Sequence, residues 1–221
     1  MTGFTKGRGT TTRDKHMSGG SARSTRGHGL LEPLVAKLRA RQANRLIPAH
    51  LRSGRILDIG CGSQPYFLSH TSFQEKYAID QLTPAGGGEK ISFHALDLNT
   101  DPKLPYEDRF FHVVTMLAVV EHLNPNSLVQ LFREIHRVLA PMGLLVATTP
   151  ASWSDGLLRG MARSGLLSAE EIFEHKYAYT LPLLGWYVGV ANFQMDKVRF
   201  GYFECGLNMW TTAEREAGDG N

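Results

Sequence analysis

Five short apolar runs, separated by longer stretches of helical character, limit this chain most. They occupy 55–59, 77–80, 91–97, 111–117 and 144–149. Each has strand length and lacks strict alternation of apolar and polar residues, the texture of strands buried on both faces. Such strands belong to a mostly parallel sheet with helices on each side, so the pattern predicts an α/β, doubly wound fold. Between the fourth and fifth runs, Leu128, Leu131, Phe132, Ile135, Val138 and Leu139 follow helical spacing. Asn124 with Pro125 suits the start of that helix, Arg133, His136 and Arg137 suit its negative end, and Pro141 with Gly143 suits its stop. An earlier basic amphipathic helix is carried by Leu31, Leu34, Val35 and Leu38 and stopped by Pro48. Beyond Pro150 the pattern predicts helices near 153–164 and 181–193. A terminal antiparallel hairpin over 193–203 and 206–212 then brings the sheet to seven strands.

A chain of 221 residues is one ordinary domain, and 42% apolar against 20% charged residues gives it enough side chain for a large core. Residues 1–28 differ: rich in Gly, Ser, Thr and Arg, they read as a disordered basic arm before a single domain at 29–213 and a flexible tail at 214–221. The first 53 residues hold eleven Lys or Arg against Asp14 and Glu32, which leaves the remainder net negative. Such a basic arm attracts a phosphate-bearing substrate or an anionic surface. A solubilising tail, or an over-long start with Met17 as the true one, is the plainer and preferred explanation. The arm has neither the apolar core of a secretory signal nor an amphipathic period, so cytoplasm is the default setting. Cys61 and Cys205 cannot build a disulfide scaffold or a cysteine zinc site, and no metal is implied. The longest apolar run, 181–193, is broken by Pro182 and Gly185 and falls short of the roughly 18 to 20 residues of a membrane span.

The chemistry sits in the loop after the first run, Gly54-Arg-Ile-Leu-Asp58-Ile-Gly60-Cys61-Gly62-Ser63-Gln64-Pro65. In doubly wound sheets ligands bind where such a loop leaves the carboxyl end of a strand. Gly60 and Gly62 remove side chains where a ligand would touch backbone. A dinucleotide cradle needs a third glycine at position 65, where this chain has Pro65. That disfavours a nicotinamide cofactor.

Leu57-Asp58-Ile59-Gly60-Cys61-Gly62 resembles the first motif of class I S-adenosylmethionine-dependent methyltransferases. The likeness continues in order through Asp80, Asp97, Leu104-Pro105 before Phe110-Phe111-His112-Val113-Val114, Val120-Glu121-His122-Leu123, the helix ending at Gly143 and the strand ending Thr148-Thr149-Pro150. This set resembles the small-molecule branch that includes the ubiquinone-biosynthesis enzymes, and it covers roughly 55–150. It implies a Rossmann-like methyltransferase fold with S-adenosylmethionine as cofactor. Two positions depart from the pattern, Gln64 for a further glycine and His112 for an acid.

The resemblance implies a role for each residue. Asp80 accepts the ribose hydroxyls, Asp97 the adenine amine, Asp58 orients the amino-acid tail, Gly60 and Gly62 shape the loop, and Leu117 with Ala118 line the pocket through backbone. An aspartate at a strand end is also an ordinary turn-former or cap, so three in succession beside two glycines carry more weight than any one. Cys61 fits a small buried residue better than a reactive thiol. Methyl transfer is an in-line displacement in which positioning can supply much of the rate, so a catalytic base is optional. His122, His175 and Tyr179 are the candidates, with packing the competing role of His122. No Asn/Asp-Pro-Pro-Tyr type motif follows the fourth strand, and the basic stretch lacks aromatic platforms apart from Phe4, which disfavours nucleic acid as acceptor. A small molecule, phosphate-bearing or saccharide-linked by the charge argument, is the expected acceptor. The competing class is a non-catalytic methyltransferase-like binding module, favoured only by Gln64.

Overall fold

The computed structural model describes residues 30–82, 90–167, 172 and 177–218, and the expected basic arm at 1–28 lies outside them. Seven strands form one sheet: β1 Arg55–Ile59, β2 Glu75–Asp80, β3 Ile91–Ala95, β4 Phe111–Leu117, β5 Leu139–Pro150, β6 Val198–Phe203 and β7 Asn208–Glu214. Their order is β3-β2-β1-β4-β5-β7-β6. β3, β2, β1, β4 and β5 run parallel, while β7 is antiparallel to both β5 and β6. The expected doubly wound, mostly parallel sheet with a C-terminal antiparallel pair is therefore present.

Successive strand residues face opposite sides, and that alternation builds two cores. Leu57, Ile59, Val114 and Met116 point to one face, where they meet Leu128, Leu131, Phe132 and Ile135 of helix α3 (Pro125–Val138). Ile56, Val113 and Val146 point to the other, against Ala40 and Ala43 of helix α1 (Glu32–Leu46) and Ile47 just after it. Burying each large apolar side chain contributes about 1.5 to 3 kcal/mol, so truncating the fully buried Phe132 to Ala would cost about 3 to 5 kcal/mol. Three further helices are α2 Tyr66–Ser69, α4 Asp155–Arg163 and α5 Leu181–Val190. The Thr180 hydroxyl starts α5 by accepting the amide hydrogen of Leu183.

Several boundaries differ from the sequence pattern. Pro141 and Gly143 do not end α3; it stops at Val138, and Leu139 already pairs with Phe111 before a register shift. That extension is held from outside the local sequence, because Met142 N–H donates to Arg215 O at 3.0 Å and Arg215 N–H to Gly143 O at 2.8 Å. The boundary expected after 213 thus falls inside an ordered stretch, with Glu214 paired to Leu144. Asn124 precedes α3, but its side chain does not cap it; its N–H donates to Asn99 Oδ1 at 2.9 Å and its Oδ1 accepts from the Tyr177 hydroxyl at 3.3 Å. The hairpin's first strand begins at Val198 rather than 193, because Met195–Lys197 forms a 3-10 turn.

Candidate active site

Parallel strands deliver their carboxyl ends to one edge of the sheet, and the chain turns sharply there. Gly60 and Gly62 both adopt left-handed backbone, with φ of 72° and 70°. Gly60 N–H donates to Ile79 O at 2.8 Å, tying the loop to β2. A Cβ on Gly60 would lie 2.3 Å from Val119 Cγ2, so glycine is required there on two counts. Asp80 ends β2 and accepts Gly62 N–H on Oδ2 at 2.8 Å and Leu82 N–H on Oδ1 at 3.1 Å.

Asp58 is nearly fully buried, and the Thr115 hydroxyl donates to its Oδ1 at 2.6 Å from the neighbouring strand β4. Asp97 lies two residues beyond β3 rather than within it, exposed in a turn where Oδ1 accepts Asn99 N–H at 3.0 Å. After Leu117, Ala118 adopts φ of 58°, and its N–H donates to Thr148 O at 3.0 Å. A left-handed non-glycine residue costs about 1 to 3 kcal/mol and collects at functional sites.

Asp58, Gly60, Gly62, Asp80, Asp97, Leu117 and Ala118 all line one cavity of about 560 Å³. Cys61, Tyr66, Asn99 and His122 join them. The His122 carbonyl accepts from Asn99 Nδ2 at 3.4 Å, which links the turn after β3 to the one after β4. Gln64 is exposed and outside the cavity lining. His112 lies within β4, where its Nδ1 accepts the N–H of Arg55 at 3.1 Å, away from the cavity.

The fold does not bring Tyr179 to the cavity. The residue is buried to 1% exposure among Tyr187 and its neighbours, and burial pushes its phenol well above the ordinary range. His175 lies outside the described residues.

Beyond Pro150 the cavity continues between Val35 and Arg39 of α1, Leu158 and Met161 of α4, and Glu204 and Asn208 of the β6–β7 turn. No motif marks these residues. They meet because distant elements fold over the sheet edge, so the sequence showed the helices that carry Val35, Arg39, Leu158 and Met161 but not their meeting with Glu204 and Asn208.

A family model described as a methyltransferase domain matches residues 31–198. The chain belongs to this methyltransferase family. Its fold is shared with a methyltransferase of Haloferax volcanii solved with the Trm112 methyltransferase activator, at TM-score 0.64 and 13% identity over 84% of this chain and 92% of that one. An S-adenosylmethionine-dependent methyltransferase of Mesorhizobium loti gives TM-score 0.61 and 16% identity, covering 82% of this chain and 100% of that one. One from Archaeoglobus fulgidus gives 0.59 and 16%, covering 81% and 94%. No curated protein matches the chain significantly. Family and fold together place it among the class I S-adenosylmethionine-dependent methyltransferases and imply S-adenosylmethionine as the cofactor.

The donor set of this methyltransferase domain fits that cofactor. A carboxylate offers about four acceptor sites, and Asp80 uses one on each oxygen for backbone, leaving capacity for a diol. In the loop Gly60 and Gly62 present no side chain to a ligand, and Cys61 between them is small.

Proposed function

We propose that the chain transfers a methyl group from S-adenosylmethionine to a small-molecule acceptor by in-line displacement. The observation that carries this reading is the convergence of all seven expected cofactor residues on one cavity at the carboxyl edge of the sheet. In it Asp80 would hold the ribose diol, Asp97 the adenine amine and Asp58 the amino-acid tail, while Gly60, Gly62, Leu117 and Ala118 supply backbone and shape. The cofactor, when bound, supplies an activated methyl on a sulfonium.

The chain's own residues bind, orient and exclude water. Asp58 is fixed by Thr115, and Asp80 is fixed by the glycine loop it shapes, so both carboxylates are aimed before any ligand arrives. His122 lines the same cavity and is the candidate proton acceptor. The ordered likeness to the ubiquinone-biosynthesis-like branch supports a small-molecule acceptor. Among the described residues no helix is long and apolar enough to cross a membrane. A phosphate-bearing acceptor gains little support from the lining, where Arg39 is accompanied by Glu204. The binding-module reading rested on Gln64, which lies outside the cavity lining.

Calorimetric titration with S-adenosylmethionine and S-adenosylhomocysteine tests the proposal. Micromolar binding of both is expected, and no binding by folded protein would refute it.

A further inference from the structure

The two ends of the cavity differ in chemistry. Asp80, the glycine loop and Ala118 follow β2, β1 and β4, while Glu204 and Asn208 flank the turn into β7, beyond β5. Four strand spacings separate β2 from β7, roughly 19 Å at about 4.8 Å each. The far end is walled by Val35, Leu158, Met161 and Ile172, and Arg39 and Glu204 bring opposite charges to this apolar compartment.

Those two side chains are incompletely satisfied. Arg39 Nε and Glu204 Oε1 are buried without a hydrogen-bond partner, while Glu204 Oε2 accepts from the Asn208 amide. Burial raises the Glu204 carboxyl above the ordinary carboxylate value, and the Arg39 charge opposes that rise. The backbone is forced as well: Glu204 and Cys205 adopt φ of 51° and 54° in succession, both left-handed without being glycine. Strain and unmade bonds at one place in a cavity mark a site shaped for a ligand rather than for stability.

We propose that this far compartment binds an apolar molecule through a neutral hydroxyl, which donates to Glu204 Oε1 and accepts from Arg39 Nε. The inference deepens the methyltransferase reading, on which it rests for the occupant of the near compartment. Elimination selects the head group. A carboxylate or phosphate suits Arg39 and is repelled by Glu204; an ammonium suits Glu204 and is repelled by Arg39. A hydroxyl is the smallest neutral group that donates and accepts at once, so it satisfies both orphaned atoms.

The test measures binding, and it begins with S-adenosylhomocysteine alone so that failure of the near site is read separately. The loaded protein is then titrated calorimetrically at neutral pH with 4-butylphenol, 4-butylbenzoate and 4-butylbenzylammonium, which share an apolar body and differ in the head. The phenol is expected to bind at least tenfold more tightly than either ion. Glu204→Gln is expected to move the preference toward the benzoate by tenfold or more, and Arg39→Met to move it toward the ammonium. Trp153, packed against Gly206 in the same turn, reports the event by fluorescence. Equal binding of the three probes by the native protein, or unchanged preferences in both variants, overturns the proposal. Because each variant is expected to gain an affinity, a variant that merely unfolds cannot mimic the result.

Discussion

The carboxylate of Asp80 accepts the amide hydrogen of Gly62 at 2.8 Å, so the acid ending β2 and the glycine loop after β1 are one unit. Eighteen residues separate them in sequence. The same carboxylate is proposed to hold the ribose diol, and its removal should therefore damage both the ligand contact and the loop that receives the ligand. Hydrogen bonds to a charged group contribute roughly 1.5 to 3 kcal/mol each. Asp80→Asn is accordingly expected to weaken S-adenosylmethionine binding by about ten- to a hundred-fold, read by calorimetry. Affinity within twofold of the native value would remove Asp80 from the site.

Thr115 is fully buried, and its hydroxyl donates to the nearly fully buried Asp58. Thr115→Val keeps the shape and leaves a buried carboxylate oxygen short of a donor. The expected loss is about 1 to 3 kcal/mol of stability in urea denaturation, with weaker cofactor binding because Asp58 is no longer fixed. An unchanged urea midpoint would show that the bond does not matter to the fold.

The first motif, the strand edges it touches and the seven-strand total were legible because local pattern determines them: β1 and β4 match their apolar runs, Arg55–Ile59 and Phe111–Leu117. Gly60 and Gly62 are legible because a required left-handed turn admits few residues. What was not legible depends on partners distant in sequence. The early start of β5 at Leu139 needs Arg215 to hold residues 142 and 143, and no local signal in Pro141 or Gly143 reveals it. Tyr179 looked available in a polar aromatic segment and is instead packed beneath α5, a consequence of burial that composition cannot show. Glu204 belongs to no motif, and only the folding of the β6–β7 turn over the cavity brings it to Arg39.

Acid should expose one particular network. Glu134 Oε2 accepts from Arg137 Nη2 at 2.7 Å and from Leu104 N–H at 3.0 Å, and the Arg137 bond is the chief reason its carboxyl lies below the ordinary value of 4.5. A depressed carboxyl contributes stability that is present above its unfolded value and lost as pH falls through the lower folded value. The urea midpoint should therefore drop as pH is lowered from 4.5, and Glu134→Gln should flatten that part of the profile. An identical slope in the variant would assign the acid sensitivity elsewhere.

Gly60 offers a test of why the loop is built as it is, because two separable obstacles meet at one atom. A methyl at this position must accept φ of 72°, which costs about 1 to 2 kcal/mol, and must displace Val119, whose Cγ2 would stand 2.3 Å away. Gly60→Ala is expected to lose about 2 to 5 kcal/mol in chemical denaturation once overpacking is included. Val119→Ala relieves the second obstacle and leaves the first untouched. The double variant should therefore be more stable than the sum of the single losses implies, by about 1 to 3 kcal/mol, while remaining below the native protein. Strict additivity would mean that the clash is absorbed by a shift of the loop, and cofactor affinity in Gly60→Ala would then report how far the loop has moved.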